Sequence, residues 1–174
     1  MKKLLSILAL LMVLVMCMPA LADENVEYLQ SNIQFVKDFL DARNYNYRRE
    51  GNVDEIFVLD FTMQGAYPEA ILYLTVYDDG VQCEAAFGAT AQGDALMQLC
   101  RYIAHVNSGE RITTFYVDEY GELWSSNFCF SNAGQIDEDN FAYCYTSALR
   151  RWEAFSQDFF DILNNGKTAA ELIK

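Results

Sequence analysis

Phe141, Tyr145, Ala148, Trp152, Phe155, Phe159 and Ile162 recur at steps of four and three. That spacing places them on one face of a single helix of about six turns. An apolar stripe of this length is stable only when laid against a broad apolar surface. Asp137, Glu138 and Asp139 sit where acids favour the positive end of the helix dipole, and Asn164, Asn165 and Gly166 stop the helix. Phe160 and Leu163 make the stripe wide for a helix covering one sheet, which is read first as a well-filled core and, as the alternative, as a face that in part meets a partner. On that alternative Trp152, Phe155, Phe159, Phe160 and Leu163 are the candidate partner-binding surface.

The rest of the chain supplies the surface this helix needs. Phe57, Leu59, Phe61 and Met63 alternate with Ile56, Val58 and Asp60, the period of a strand. The stretch AILYLTVYDDGVQCEAAFGA predicts a tight hairpin with Asp79-Gly80 in its turn. Val81, Cys83, Ala85 and Phe87 face one way in its second strand, and Gln82 and Glu84 the other. A second hairpin, RITTFYVDEYGELWSSNFCF, turns near Glu119-Tyr120-Gly121, and Trp124, Phe128 and Phe130 share one side of its last strand. Gly51-Asn52 marks a turn between two shorter strands. The basic-aromatic run Tyr45-Asn46-Tyr47-Arg48-Arg49 reads as a strand edge.

Two further helices are expected. One runs from Asn25 to about Arg43, with Val26, Leu29, Ile33, Val36 and Leu40 on its apolar face. The other carries Leu96, Leu99, Ile103 and Val106, and Asn107, Ser108 and Gly109 end it. The order is α-ββββ-α-ββ-α. The fold class is α+β, a two-layer sandwich with a mostly antiparallel sheet of about five to six strands and helices packed on it.

The beginning of the chain carries an address. Lys2 and Lys3 precede an apolar run from Leu4 to Met16 broken only by Ser6, and Pro19 and Ala20-Leu21-Ala22 follow. This is the pattern of a secretory signal cut after Ala22. The run is shorter than the roughly 20 residues of a membrane-spanning helix. Met16 before Cys17 is too bulky for a lipoprotein signal. Residues 1–22 are thus read as a cleaved signal peptide and residues 23–174 as one α+β domain, secreted or held in the cell envelope, periplasmic or extracellular. No stable membrane insertion is expected after cleavage.

Lys2 and Lys3 are the only charges in the leader, so its removal takes the formal charge from −13 to −15. Such a chain repels nucleic acid and anionic membrane surfaces. Hydrophobic residues make up 52% and aromatics 14%, enough to fill a core and to argue against disorder. Cys83, Cys100, Cys129 and Cys144 lack the C-x-x-C spacing of redox or zinc sites, and disulfides and free thiols are both open.

The residues of chemistry do not assemble in the sequence. His105 is the single histidine, in the last turn of the second helix, where a cation suits the dipole. No Ser or Cys stands in a nucleophile motif such as G-x-S-x-G. Asp78-Asp79-Gly80 and Asp137-Glu138-Asp139 lack the alternating oxygen ligands and closing Glu of a calcium loop. There is no glycine-rich phosphate loop, and nothing singles out a carboxylate pair for glycoside chemistry. No catalytic, cofactor-binding or metal residue is assigned, and no cofactor is expected.

The chain resembles the YbjN family, whose fold is that of the type III secretion chaperones, most specifically in its second half. There a helix ends at Asn107, a strand through Phe115 and Val117 leads to Tyr120-Gly121-Glu122, the next strand starts at Leu123, and the final helix carries Trp152 and Phe155. The resemblance implies an interaction-based role without catalysis, often as a dimer, and no metal or cofactor. The leader departs from the pattern, because members of that family act inside the cell. The expected function is non-enzymatic binding of a protein or peptide, with a homodimer as one form of partner. The alternatives are a small-molecule or lipid binder with an aromatic-lined pocket, and an unrecognised hydrolase.

Overall fold

The computed structural model describes residues 25–52, 55–109 and 113–173. The expected leader, with Cys17, lies outside the described residues. Helix α1 (residues 25–42) is followed by β1 (Arg48–Glu50), β2 (Ile56–Thr62), β3 (Glu69–Tyr77) and β4 (Gly80–Thr90). Then come α2 (Gly93–Ser108), β5 (Thr114–Val117), β6 (Glu122–Phe130), α3 (Glu138–Asn165) and the short α4 (Ala169–Leu172). The strands form one six-stranded sheet in the order β1-β2-β3-β4-β6-β5. Every neighbouring pair is antiparallel. This is the α+β layout read from the sequence, with α4 as an unforeseen addition.

Local chemistry sets the element ends. The Asp137 carboxylate accepts from the Asn140 N–H at 2.8 Å and caps α3, and Gly166 ends the helix in the left-handed conformation at φ 67°. The β3–β4 turn is shifted by one residue from the sequence reading. Tyr77 pairs with Gly80, so the loop is Asp78-Asp79, and Gly80 opens β4. Gly80 is required by close approach, because a Cβ there would lie 2.2 Å from the Cys129 carbonyl oxygen. Gly121 closes the β5–β6 turn at φ 83°, and a Cβ there would lie 2.3 Å from the Ala91 carbonyl oxygen.

The helices lie on one face of the sheet, and the main core fills the space between the layers. Phe57, Leu59, Leu72, Leu74, Val81, Cys83, Ala85, Phe87, Leu123 and Phe115 point into it from the strands. From the helices come Val36 and Leu40 of α1, Leu99 and Tyr102 of α2, and Phe141, Trp152 and Phe159 of α3. The Trp152 ring stacks on Phe87 with centroids 3.7 Å apart, and Phe159 packs edge-on against Phe115 at 5.0 Å. Such contacts add to the area they bury. Val26, read as the first residue of the α1 stripe, is instead exposed at 61%.

Strand β6 has an unusual covered face. Leu123, Ser125, Asn127 and Cys129 all point toward α3 and are buried. Ser125 Oγ donates to the Ala148 carbonyl at 3.3 Å. Asn127 Nδ2 donates to the Cys144 carbonyl at 3.0 Å and to Ser147 Oγ at 2.7 Å. Small and polar residues here let α3 approach β6 closely, and the helix carbonyls satisfy the amide and hydroxyl. Cys83, Cys129 and Cys144 are buried free thiols, and Cys100 is exposed.

Candidate functional site

Among the described residues no helix lies on the opposite face of the sheet, whose residues follow from the strand register. One row across the sheet is Arg48, Val58, Tyr73, Glu84, Ser126 and Thr114. The next is Asp60, Ile71, Ala86, Trp124 and Tyr116, and on the other side lie Ile56, Thr75, Gln82 and Phe128. Tyr77 and Phe130 end the face on either side of Gly80. Side chains alternate across a strand, so burying Asn127 and Ser125 beneath α3 turns Trp124, Phe128 and Phe130 outward.

The rings on this face touch in two groups of three. Tyr73 meets Trp124 at 5.6 Å, Trp124 stacks near Tyr116 at 6.4 Å, and Tyr77 and Phe130 each pack on Phe128, at 6.3 and 4.7 Å. Phe130 is 70% exposed and Tyr77 41%. Val58 and Ala86 are buried among these side chains but belong to no part of the main core cluster. Clustered exposed aromatics of this kind mark an interaction site more often than chance exposure does.

Polar groups hold the rings in place. Asp118, at the end of β5, accepts from the Tyr120 and Glu122 N–H groups at 2.9 Å each and from Trp124 Nε1 at 3.2 Å. One carboxylate thus closes the turn and orients the indole. Tyr116 donates its hydroxyl to Glu84 Oε1 at 2.8 Å. Burial, and then the bond to Glu84, push the Tyr116 hydroxyl well above its ordinary pKa, so it remains a donor. Burial and the neighbouring Asp118 raise Glu122. The sequence placed Trp124, Phe128 and Phe130 together. It missed Tyr73, Tyr77 and Tyr116, which reach the face only through strand pairing.

The candidate surface on α3 is divided by the fold. Trp152 and Phe159 are fully buried, which removes them from any accessible surface. Phe155 is half-buried between Tyr102 and Phe115, Phe160 packs on Tyr67 at 5.9 Å, and Leu163 is half-buried against the core. The wide stripe is used because α3 meets the sheet, α1 and α2 together.

His105 lines an open pocket of about 480 Å³ with Tyr102, Arg151, Phe155 and Asp158. Tyr102 donates to Asp158, and Ser108 Oγ donates to the His105 carbonyl at 2.6 Å. Both the acid and the hydroxyl near His105 are engaged in fold contacts. The buried thiols lie elsewhere, under α3. A second open pocket of about 520 Å³ lies where Val26 and Leu29 of α1 meet Thr75 and Tyr77. Among the described residues no group of His, Cys, Asp and Glu could hold a metal ion, and no helix is long and apolar enough to cross a membrane.

No family model matches the chain, and no curated protein matches it. Solved structures do match. The crystal structure of YbjN from E. coli, a proposed transcription regulator, superimposes with a TM-score of 0.54 at 11% identity, covering 70% of this chain and 86% of that one. The heterodimeric complex ExoU-SpcU from the type III secretion system of Pseudomonas aeruginosa matches with a TM-score of 0.45 at 17% identity, covering 74% of this chain and 97% of that one. The chain therefore has a YbjN-like fold, as its resemblance to that family implied.

Proposed function

We propose that the chain is an extracytoplasmic, non-enzymatic domain that binds a protein or peptide partner on the open aromatic face of its sheet. The observation that carries this reading is the ring chain from Tyr73 through Trp124 to Tyr116, with Phe128 and Phe130 beside it, on a face that no helix covers among the described residues. Rigid aromatics on a regular sheet offer large contact area at low entropic cost, the character of interface hot spots. The signal pattern of residues 1–22 supports the location, and a fold shared with YbjN is compatible with an interaction role.

Site-specific photocrosslinking tests it. A benzoylphenylalanine at Phe130, in protein exported by its native host, should give a discrete crosslinked species that is lost when Trp124→Ala is added. The same probe at Tyr143, exposed on α3, should give none. Equal crosslinking from both positions would refute the assignment of the face. Intact mass of the exported protein should correspond to a chain beginning at Asp23.

A further inference from the structure

We infer that the open face selects a basic segment, one presenting a lysine or arginine next to apolar side chains, and that Glu84 receives the cation. This deepens the reading just given and rests on it. Among the described strand residues, register puts Glu50, Asp60, Glu69, Glu84 and Glu122 on this face against Arg48. The Arg48 guanidinium is already held by Glu50 and Asp60, at 3.1 Å each. The face is therefore acidic as well as aromatic.

Glu84 lies at its middle. It stands opposite Tyr73 on one side and Ser126 on the other, one position along from Trp124. Its one hydrogen bond is from Tyr116, and among the described residues no cation reaches it. One bond from a phenol leaves most of the acceptor capacity of a carboxylate unused. A lysine stem or an arginine plane lying over Tyr73 and Trp124 would gain ring–cation attraction and bring its charge to Glu84. Neutral apolar partners gain nothing from Glu84. Acidic ones are repelled, including a second copy of this chain, whose formal charge is −13 with residues 1–22 and −15 without Lys2 and Lys3.

The two tryptophans give a direct assay. Trp124 lies on the open face and Trp152 is fully buried in the core, so the two indole N–H resonances report face and core separately. The probes are the capped hexapeptide Arg-Leu-Arg-Leu-Arg-Leu and its twin with citrulline, a neutral isostere, for each arginine. The arginine peptide should shift the Trp124 resonance, leave Trp152 in place, and bind roughly tenfold more tightly than the citrulline peptide. Glu84→Gln, which keeps an acceptor for Tyr116, should abolish that difference. Asp139→Asn, which removes an equal charge at the start of α3, should preserve it. Equal binding of both peptides to the unaltered protein, or a preference that survives Glu84→Gln, would overturn the cation site while leaving the docking face standing. If neither peptide moved Trp124, the docking face would fall as well.

Discussion

The two faces of the sheet solve different problems with the same strands. Beneath α3 the middle of the sheet is built from Cys83, Ala85, Ser125, Asn127 and Cys129, which are small or hydrogen-bonded to helix carbonyls. On the other side the same two strands carry Trp124 and Phe128 around Glu84 and Gln82. Ranked by hydropathy alone, β6 would be turned over. Its orientation follows from what each face must meet. The covered face needs a helix at close range, which favours small side chains and matched polar groups. The open face holds bulky rings outside the main core. Side chains kept bulky where packing gains little are better explained by recognition than by stability.

Experiment can test the difference between the two faces, and the largest effect should be in chemical access. Under native conditions Cys100 should react with a thiol reagent on the order of a thousandfold faster than Cys83, which sits deep under the helices. Mass mapping of the labelled sites checks this. Comparable rates would mean the covered face opens readily. Next, Trp152→Ala should lower the free energy of unfolding by about 3–5 kcal/mol, because it empties a site between Phe87 and Phe159. Urea denaturation measures it.

Asn127→Leu should destabilise by about 1–3 kcal/mol, since it strips partners from the Cys144 carbonyl and Ser147 and overfills the β6–α3 seam. Ser126→Leu, one residue away on the open face, should be near neutral in the same titration. A stabilised Asn127→Leu variant would show that the seam tolerates apolar bulk and would undo the argument for its polarity. Smallest in stability, Trp124→Ala should cost about 1 kcal/mol or less while abolishing the crosslink from Phe130. A loss as large as that of Trp152→Ala would make Trp124 a structural residue.

Much of this architecture was legible in the residues. The α3 stripe, the acids before it and Gly166 after it state the helix and both its ends, because periodicity and capping are local. Strand alternation and Gly121 state the hairpins for the same reason. The one-residue shift of the Asp78-Asp79 loop was not legible, because Gly80 is set by contact with Cys129 of β6, a distant strand. The site was half legible. Trp124, Phe128 and Phe130 share a face by spacing alone, but which face is inside depends on the carbonyls of α3. The breadth of the α3 stripe left a filled core and a partner surface both open, and Trp152 and Phe159 are buried because three elements surround the helix. Spacing reports that a face exists, and only assembly decides what covers it.

The position of β6 between β4 and β5 also governs how the molecule can be made. β2, β3 and β4 form a meander whose pairings are close in sequence and can zip from their turns. The central seam, where Val81 meets Cys129, has to wait until α2, β5 and the second hairpin exist. Chains with distant pairings fold more slowly than those with local ones. For a polypeptide that emerges from its N-terminus, the covered face of β4 stays exposed until β6 and α3 follow. Variants that shorten or weaken α3 should therefore raise losses to aggregation and proteolysis during synthesis before they change the finished protein.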